Sequence, residues 1–262
     1  MDKKKTKKSF LKWIVYFIGL AFVILEITRI LVLENSTLAD NIRYVESILA
    51  AVAAVLIRFL VDSEKIISLI KDTDIEKETF TKELNPKRFL NLMPIAAIVC
   101  TISDFILGKI NPDVIGIGTF LIAQIFLIVA FSGLIHYRSI VKGKIKRLAI
   151  ISTVILTLLV SILYFLLIFS VDNLLSMIVF LYMICILIMT IGTYFNLGYT
   201  KRDIKFRIML CIGGTSFLVS DAFVGINMFN DPNPITGAWV LLTYNLAIFF
   251  LQFAVLFLRN QN

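Results

Sequence analysis

The sequence predicts an all-α polytopic membrane protein, a bundle of eight transmembrane helices with both termini in the cytoplasm. Three observations predict it. The 262-residue chain is 59% hydrophobic with a mean hydropathy of +0.91, well above the roughly half-apolar composition of soluble domains. Its apolar runs recur at about the 20 residues needed to cross a bilayer. Lys and Arg cluster in alternate connections between those runs, as they do on the cytoplasmic side of membranes.

The first run, 10–33, follows "MDKKKTKK" and looks at first like a secretory leader. It is too long for the apolar part of a leader and carries Glu26 and Arg29, so a retained helix is expected. Seven further runs follow at 42–61, 88–108, 114–135, 148–170, 173–196, 207–229 and 238–258. All are longer than the alternating segments of a barrel strand. The connections are short except 62–87, which mixes both charges with an apolar stripe of Ile66, Ile67, Leu69 and Ile70. That segment is expected to be a cytoplasmic amphipathic connection lying on the membrane. No length is left for a soluble domain, so 1–262 reads as a single integral membrane domain.

Basic residues set the orientation. Lysines crowd the start of the first run, the 62–87 connection, the 138–147 connection and the 201–207 connection. The opposite side has little beyond Arg43 and Lys109. The net charge of +8 therefore reads as cytoplasmic loops, not as a nucleic-acid surface. Cys100, Cys185 and Cys211 all lie in apolar runs without paired spacing, and read as small hydrophobes. His136 is the only histidine, which argues against a histidine metal cluster. It reads as an interfacial residue.

Two phrases stand out. "ISDFILG" at 102–108 and "VSDAFVG" at 219–225 each set Ser-Asp inside an apolar run, with Gly four residues on. Both lie on helices that run outward. From a rise of ~1.5 Å per residue, Asp104 lies about 6 Å and Asp221 about 12 Å from the outer helix end. Gln124, Tyr182 and Tyr244 fall at a similar depth, as do Glu26, Arg29 and Glu46 near theirs. The polar residues gather in one layer of the outer half of the membrane, as they would around a polar cavity. The two phrases are also compatible with parallel repeats, helices 1–4 and 5–8.

An ionisable residue inside a membrane marks a candidate functional site. Two carboxyls withdrawn from water can share one proton, which provides an acid and a base together. The alternative is that each Asp bonds a Ser or Tyr across an interface and holds helices together. Glu26 and Arg29, three residues apart, read as a local ion pair.

These residues resemble the YhhN family of integral membrane proteins, the lysoplasmalogenase family. The resemblance spans roughly residues 88–258. Ser103-Asp104 matches the family's third helix, and Gly116, Phe120 and Ala123 before Gln124 follow its fourth. Tyr182-Met183 matches its sixth. The most specific match is the seventh, with Phe217, Ser220, Asp221, Asn227 and Phe229, and Tyr244 matches in the eighth. The chain departs from the pattern at Gln124, usually His, and at Ile248, usually Gln. The Lys-Pro step near the start of the second helix is absent, and Arg43 offers a basic residue there.

The resemblance implies hydrolysis of the vinyl-ether bond of lysoplasmalogen to a fatty aldehyde and a glycerophospho-alcohol, in the cell (plasma) membrane of a prokaryote. It implies Asp104 and Asp221 as catalytic residues, with Gln124, Tyr182, Ser220, Tyr244 and Asn227 contacting a lysophospholipid substrate. The chemistry needs neither metal nor nucleotide cofactor. Two other readings stay open. One is a non-catalytic lipid-binding protein of the same fold, favoured by Gln124 and Ile248. The other is a proton-coupled transporter using the same carboxylates.

Overall fold

The computed structural model describes residues 3–32, 36–61, 85–110, 113–134, 144–167, 174–198, 202–229 and 234–258. They form eight long helices: α1 (Lys3–Leu31), α2 (Ser36–Leu60), α3 (Pro86–Phe105), α4 (Asp113–Ser132), α5 (Lys144–Leu167), α6 (Leu174–Gly198), α7 (Ile204–Phe229) and α8 (Pro234–Ala254). A π-helical turn, Ile106–Ile110, prolongs α3, and a 3-10 turn, Val255–Phe257, ends α8. The helices correspond one to one with the eight predicted runs. The amphipathic connection expected at 62–87 lies, up to residue 84, outside the described residues, as does His136.

Six of the helices are long and apolar enough to cross a membrane. The other two are α2 and α5. Helix α2 carries Asp40, Arg43, Glu46 and Arg58, and the apolar part of α5, Ile150–Leu166, is shorter than the rest. On α2 the polar residues at mid-helix are directed inward: Glu46 and Ser47 are buried, while Val45, Ile48, Val52 and Phe59 are exposed. The same inversion holds elsewhere, with Phe17, Ile24 and Ile27 exposed on α1 and Glu26 and Arg29 buried. Apolar outside and polar inside is the distribution expected where the surrounding medium is hydrocarbon.

The most extensive packing joins α7 to α8 and α3 to α4, the corresponding hairpins of the two halves. Helix α8 also touches α2 and α3, α6 bridges α4 and α7, and α5 packs mainly on α6. Close approach around α7 depends on Gly213-Gly214. A Cβ on Gly213 would fall 2.8 Å from Leu251 on α8, and one on Gly214 would fall 2.6 Å from Thr193 Oγ1 on α6. Gly214→Ala is therefore expected to lower the midpoint of thermal unfolding in detergent, by overpacking worth about 1–3 kcal/mol. Thr193→Ala in the same chain should recover most of the loss. An unchanged midpoint in Gly214→Ala would mean that α6 and α7 are not in this contact.

The helix ends opposite the Ser-Asp phrases are tied together by an exposed cap and two buried arginines. Asn85 caps α3 by accepting from Arg88 N–H at 3.0 Å, and its own N–H donates to Gly133 O at 2.8 Å. Arg202 donates to Asn196 Oδ1 at 2.5 Å and to Leu134 O at 2.6 Å. Arg207 donates to Arg202 O and Leu197 O. Arg202 and Arg207, counted from sequence as loop charges, are thus buried and satisfied within the fold. A guanidinium has enough donors to close several orphaned helix-end carbonyls at once. Cys100, Cys185 and Cys211 are free, with Cys100 buried and the other two partly so.

Candidate active site

Helix α7 brings its aspartate to the protein interior by the same spacing that sets its glycines. Seven residues are close to two helical turns. Gly213 and Ser220 therefore share the face toward α8, and Gly214 and Asp221 share the face toward α6. The contacts follow. Ser220 Oγ donates to Val240 O on α8 at 3.0 Å. Asp221 Oδ2 accepts from Tyr182 OH on α6 at 2.7 Å. Behind Tyr182, the fully buried Gln124 on α4 lies at the hydrogen-bond limit, 3.5 Å from Nε2 to the phenol oxygen. Among the described residues, the buried Gln124 Oε1 has no hydrogen-bond partner.

Helix α3 presents Asp104 from its buried face, one turn beyond Cys100. Asp104 Oδ2 accepts from two hydroxyls, Ser47 Oγ on α2 at 2.5 Å and Tyr244 OH on α8 at 2.8 Å. Ser47 is fixed in turn by Thr101, whose hydroxyl donates to Ser47 O at 2.9 Å. The Tyr244 ring is held edge-on by Phe120 and Phe217, with centroids 5.9 and 5.7 Å away. Ser103 takes no part, since its hydroxyl donates back to Val99 O. Among the described residues, Oδ1 of Asp104 and Oδ1 of Asp221 accept no hydrogen bond. Each carboxylate thus has one oxygen oriented by tyrosine and one left for other chemistry.

Asp104 and Asp221 line one cavity, together with Arg43, Phe120, Tyr182 and Tyr244. A second, almost wholly apolar cavity begins at the same Asp221 and Tyr182 and is walled by Val179, Met183, Gly225 and Met228. Ile117 and Val224 border both. A chamber that carries two carboxylates and an arginine on otherwise apolar walls thus adjoins an apolar groove, and Asp221 stands at the junction. That arrangement suits a molecule with a polar head and an aliphatic chain.

The residues predicted to contact substrate divide. Tyr182, Tyr244 and Ser220 line the carboxylate chamber. Gln124 stands one layer behind, against Tyr182. Asn227 borders neither cavity; its Oδ1 accepts from Thr236 Oγ1 across the α7–α8 turn. Sequence reasoning missed Ser47, because an isolated Ser in an apolar helix carries no signal until the facing helix is known.

Beside the chamber is a second buried polar cluster. Arg29 donates to Glu26 through Nε at 3.1 Å and Nη2 at 2.5 Å, the local ion pair expected from sequence. Glu46 joins it from α2, with Oε2 3.7 Å from Arg29 Nε. Asn245 Nδ2 donates to both glutamates, at 2.6 and 2.7 Å. The two clusters are joined through adjacent residues. Glu46-Ser47 on α2 and Tyr244-Asn245 on α8 each send one side chain to either side.

The model of the YhhN family matches residues 79–255, more than half of the chain. The matched stretch contains α3 to α8, and so both aspartates and both tyrosines, but not α1 or α2. Searches of curated proteins and of solved structures return no match.

Proposed function

The chain belongs to the YhhN family, and from that premise we propose that it is a membrane-embedded hydrolase of the lysoplasmalogenase type. The family includes lysoplasmalogenases. The observation that carries the reading is the shared cavity: two carboxylates, each with a tyrosine donating to Oδ2, face one chamber that continues into an apolar groove.

The reaction adds water across a vinyl ether. Asp221, neutral, delivers its proton to the alkenyl carbon distal to the ether oxygen. The adjoining carbon becomes an oxocarbenium ion, which the ionised Asp104 stabilises. Water adds to that carbon and its proton passes to Asp104. The hemiacetal then collapses: the glycerol oxygen leaves with the proton from Asp104, and Asp221 takes back the hydroxyl proton. A fatty aldehyde and a glycerophospho-alcohol are released, and both carboxyls return to their starting states. Positioned acid and base groups of this kind contribute about 10²–10⁴-fold each. Tyr182 and Tyr244 hold the carboxylates in orientation, and Ser220 lines the chamber. Neither metal nor nucleotide is required by this chemistry.

The wider frame belongs to the same proposal. All eight helices span the cell membrane of a prokaryote as one domain, with both termini cytoplasmic. Two charges of α2 are accommodated because Arg43 faces the chamber and Glu46 the Glu26–Arg29 cluster. Of the substituted positions in the family pattern, Ile248 is part of the hydrophobic core and Gln124 lies against Tyr182. Neither bonds to a carboxylate, which favours retained activity over a merely lipid-binding role.

Purified protein in detergent or liposomes, incubated with a 1-alkenyl lysophospholipid, is expected to release fatty aldehyde in amounts equal to the glycerophospho-alcohol formed. Absence of aldehyde with both ethanolamine and choline head groups, from folded protein, would reject the hydrolase. Uptake of a solute that depends on a proton gradient would favour the transporter in its place.

A further inference from the structure

We propose that Arg43 recognises a phosphodiester, so that the bound lipid lies with its anionic head on Arg43 and its chain running past Asp221 into the apolar groove. The inference rests on the hydrolase reading for what the lipid is used for, but its own observations concern binding.

Arg43 is the only cation among the side chains lining the two cavities. Its donors are largely unspent. Among the described residues it forms no ion pair, and its Nε is buried with no hydrogen-bond partner. Nη2 reaches only the backbone carbonyl of Asp104, at a long 3.4 Å. The Asp104 carboxylate lies within reach of its charge in the same cavity, but takes its hydrogen bonds from Ser47 and Tyr244. The buried arginines differ: Arg29, though its Nη1 is unmet, is matched in charge by glutamate, and Arg202 and Arg207 are met by amide and backbone oxygens.

What holds Arg43 in place is packing. Its guanidinium lies 5.1 Å from the centre of the Tyr44 ring, which stacks on Phe105 at 4.8 Å. The π-helical turn brings Gly108 against the same pair, and a Cβ there would collide with Arg43 Nη2 and the Tyr44 hydroxyl. Asp104 offsets the charge of the guanidinium through space but takes no hydrogen bond from it, so its donors remain to be met by a further anion. A phosphate oxygen pair matches the planar fork of a guanidinium. The cavity floor beyond Asp221 is apolar, so the other end of the ligand is aliphatic. This orientation sets the reacting carbons between the two carboxylates with the alkenyl side toward Asp221, which agrees with Asp221 as proton donor.

The test uses two ligands that cannot be hydrolysed: a 1-O-hexadecyl lysophosphatidylethanolamine and 1-O-hexadecylglycerol, which lacks the phosphate. Affinities are measured by calorimetry in detergent for the wild type, Arg43→Gln and Arg43→Lys. The wild type is expected to prefer the phospholipid by about tenfold or more, the scale of a charge-assisted contact. Arg43→Gln should bring that ratio to about one while leaving the affinity for the alkylglycerol unchanged. Arg43→Lys, which retains the charge without the fork, should fall between them. An equal preference in wild type and Arg43→Gln overturns the proposal, as does an equal loss for both ligands. If the preference depends on Arg43 but no vinyl ether is cleaved, the hydrolase reading fails and the phosphate site stands. If aldehyde is released and the preference ignores Arg43, the reverse holds.

Discussion

Asp221→Asn is expected to reduce aldehyde release by about 10²–10⁴-fold, the range for loss of a positioned general acid. Asparagine preserves the shape and can still accept from Tyr182, so the helix contact at 2.7 Å survives while the proton to be delivered does not. Asp104→Asn should have an effect of similar size, because it removes the charge that stabilises the oxocarbenium ion. The double variant should lose little more than either alone, as residues acting as one unit are not additive. Turnover and unfolding midpoint should be read on the same preparations. Single variants that remain folded and retain near-wild-type turnover would leave the carboxylates as helix fasteners, each tied to a tyrosine.

Arg29→Met should be the most destabilising change in the molecule. Arg29 is fully buried and is the one cation in the cluster with Glu26 and Glu46. Its removal leaves two carboxylates sharing a single amide, Asn245. Loss of one partner of a buried ionic network costs about 3–5 kcal/mol. Because Glu46-Ser47 and Tyr244-Asn245 connect this cluster to Asp104, activity should fall with stability. Adding Glu26→Gln to Arg29→Met restores the balance of charge and should recover much of the midpoint. Unfolding midpoints of the two variants, compared in one detergent, decide it. A midpoint for Arg29→Met within a degree or two of wild type would mean that the cluster is open to water.

The departures from expectation have physical causes. Asn227 matches the seventh-helix pattern, yet lies against Thr236 at the turn, because six residues beyond Asp221 is more than one and a half turns and leaves the chamber. Arg202 and Arg207 read as loop charges because hydropathy takes no account of the carbonyls that a guanidinium can satisfy. Ser47 was invisible for a related reason: a hydroxyl on an apolar helix acquires a meaning only from the group opposite.

By itself the sequence determined what is local. Runs of apolar residues dictate eight helices, since a segment of that length in hydrocarbon must satisfy its own backbone. The i, i+3 spacing of Glu26 and Arg29 dictates their pairing, because one turn of helix brings them together. The two Ser-Asp phrases mark the residues whose burial calls for explanation. Only the tertiary structure decided who answers them. Tyr244 meets Asp104 across 140 residues, and Tyr182 meets Asp221 across 39. Glu46 enters an ion pair that looked complete, and Arg43 reaches the chamber beside Asp104, bonding its backbone carbonyl. Such pairings depend on which helix faces which, and that is set by close contacts such as Gly214 on Thr193, not by any property readable along one helix.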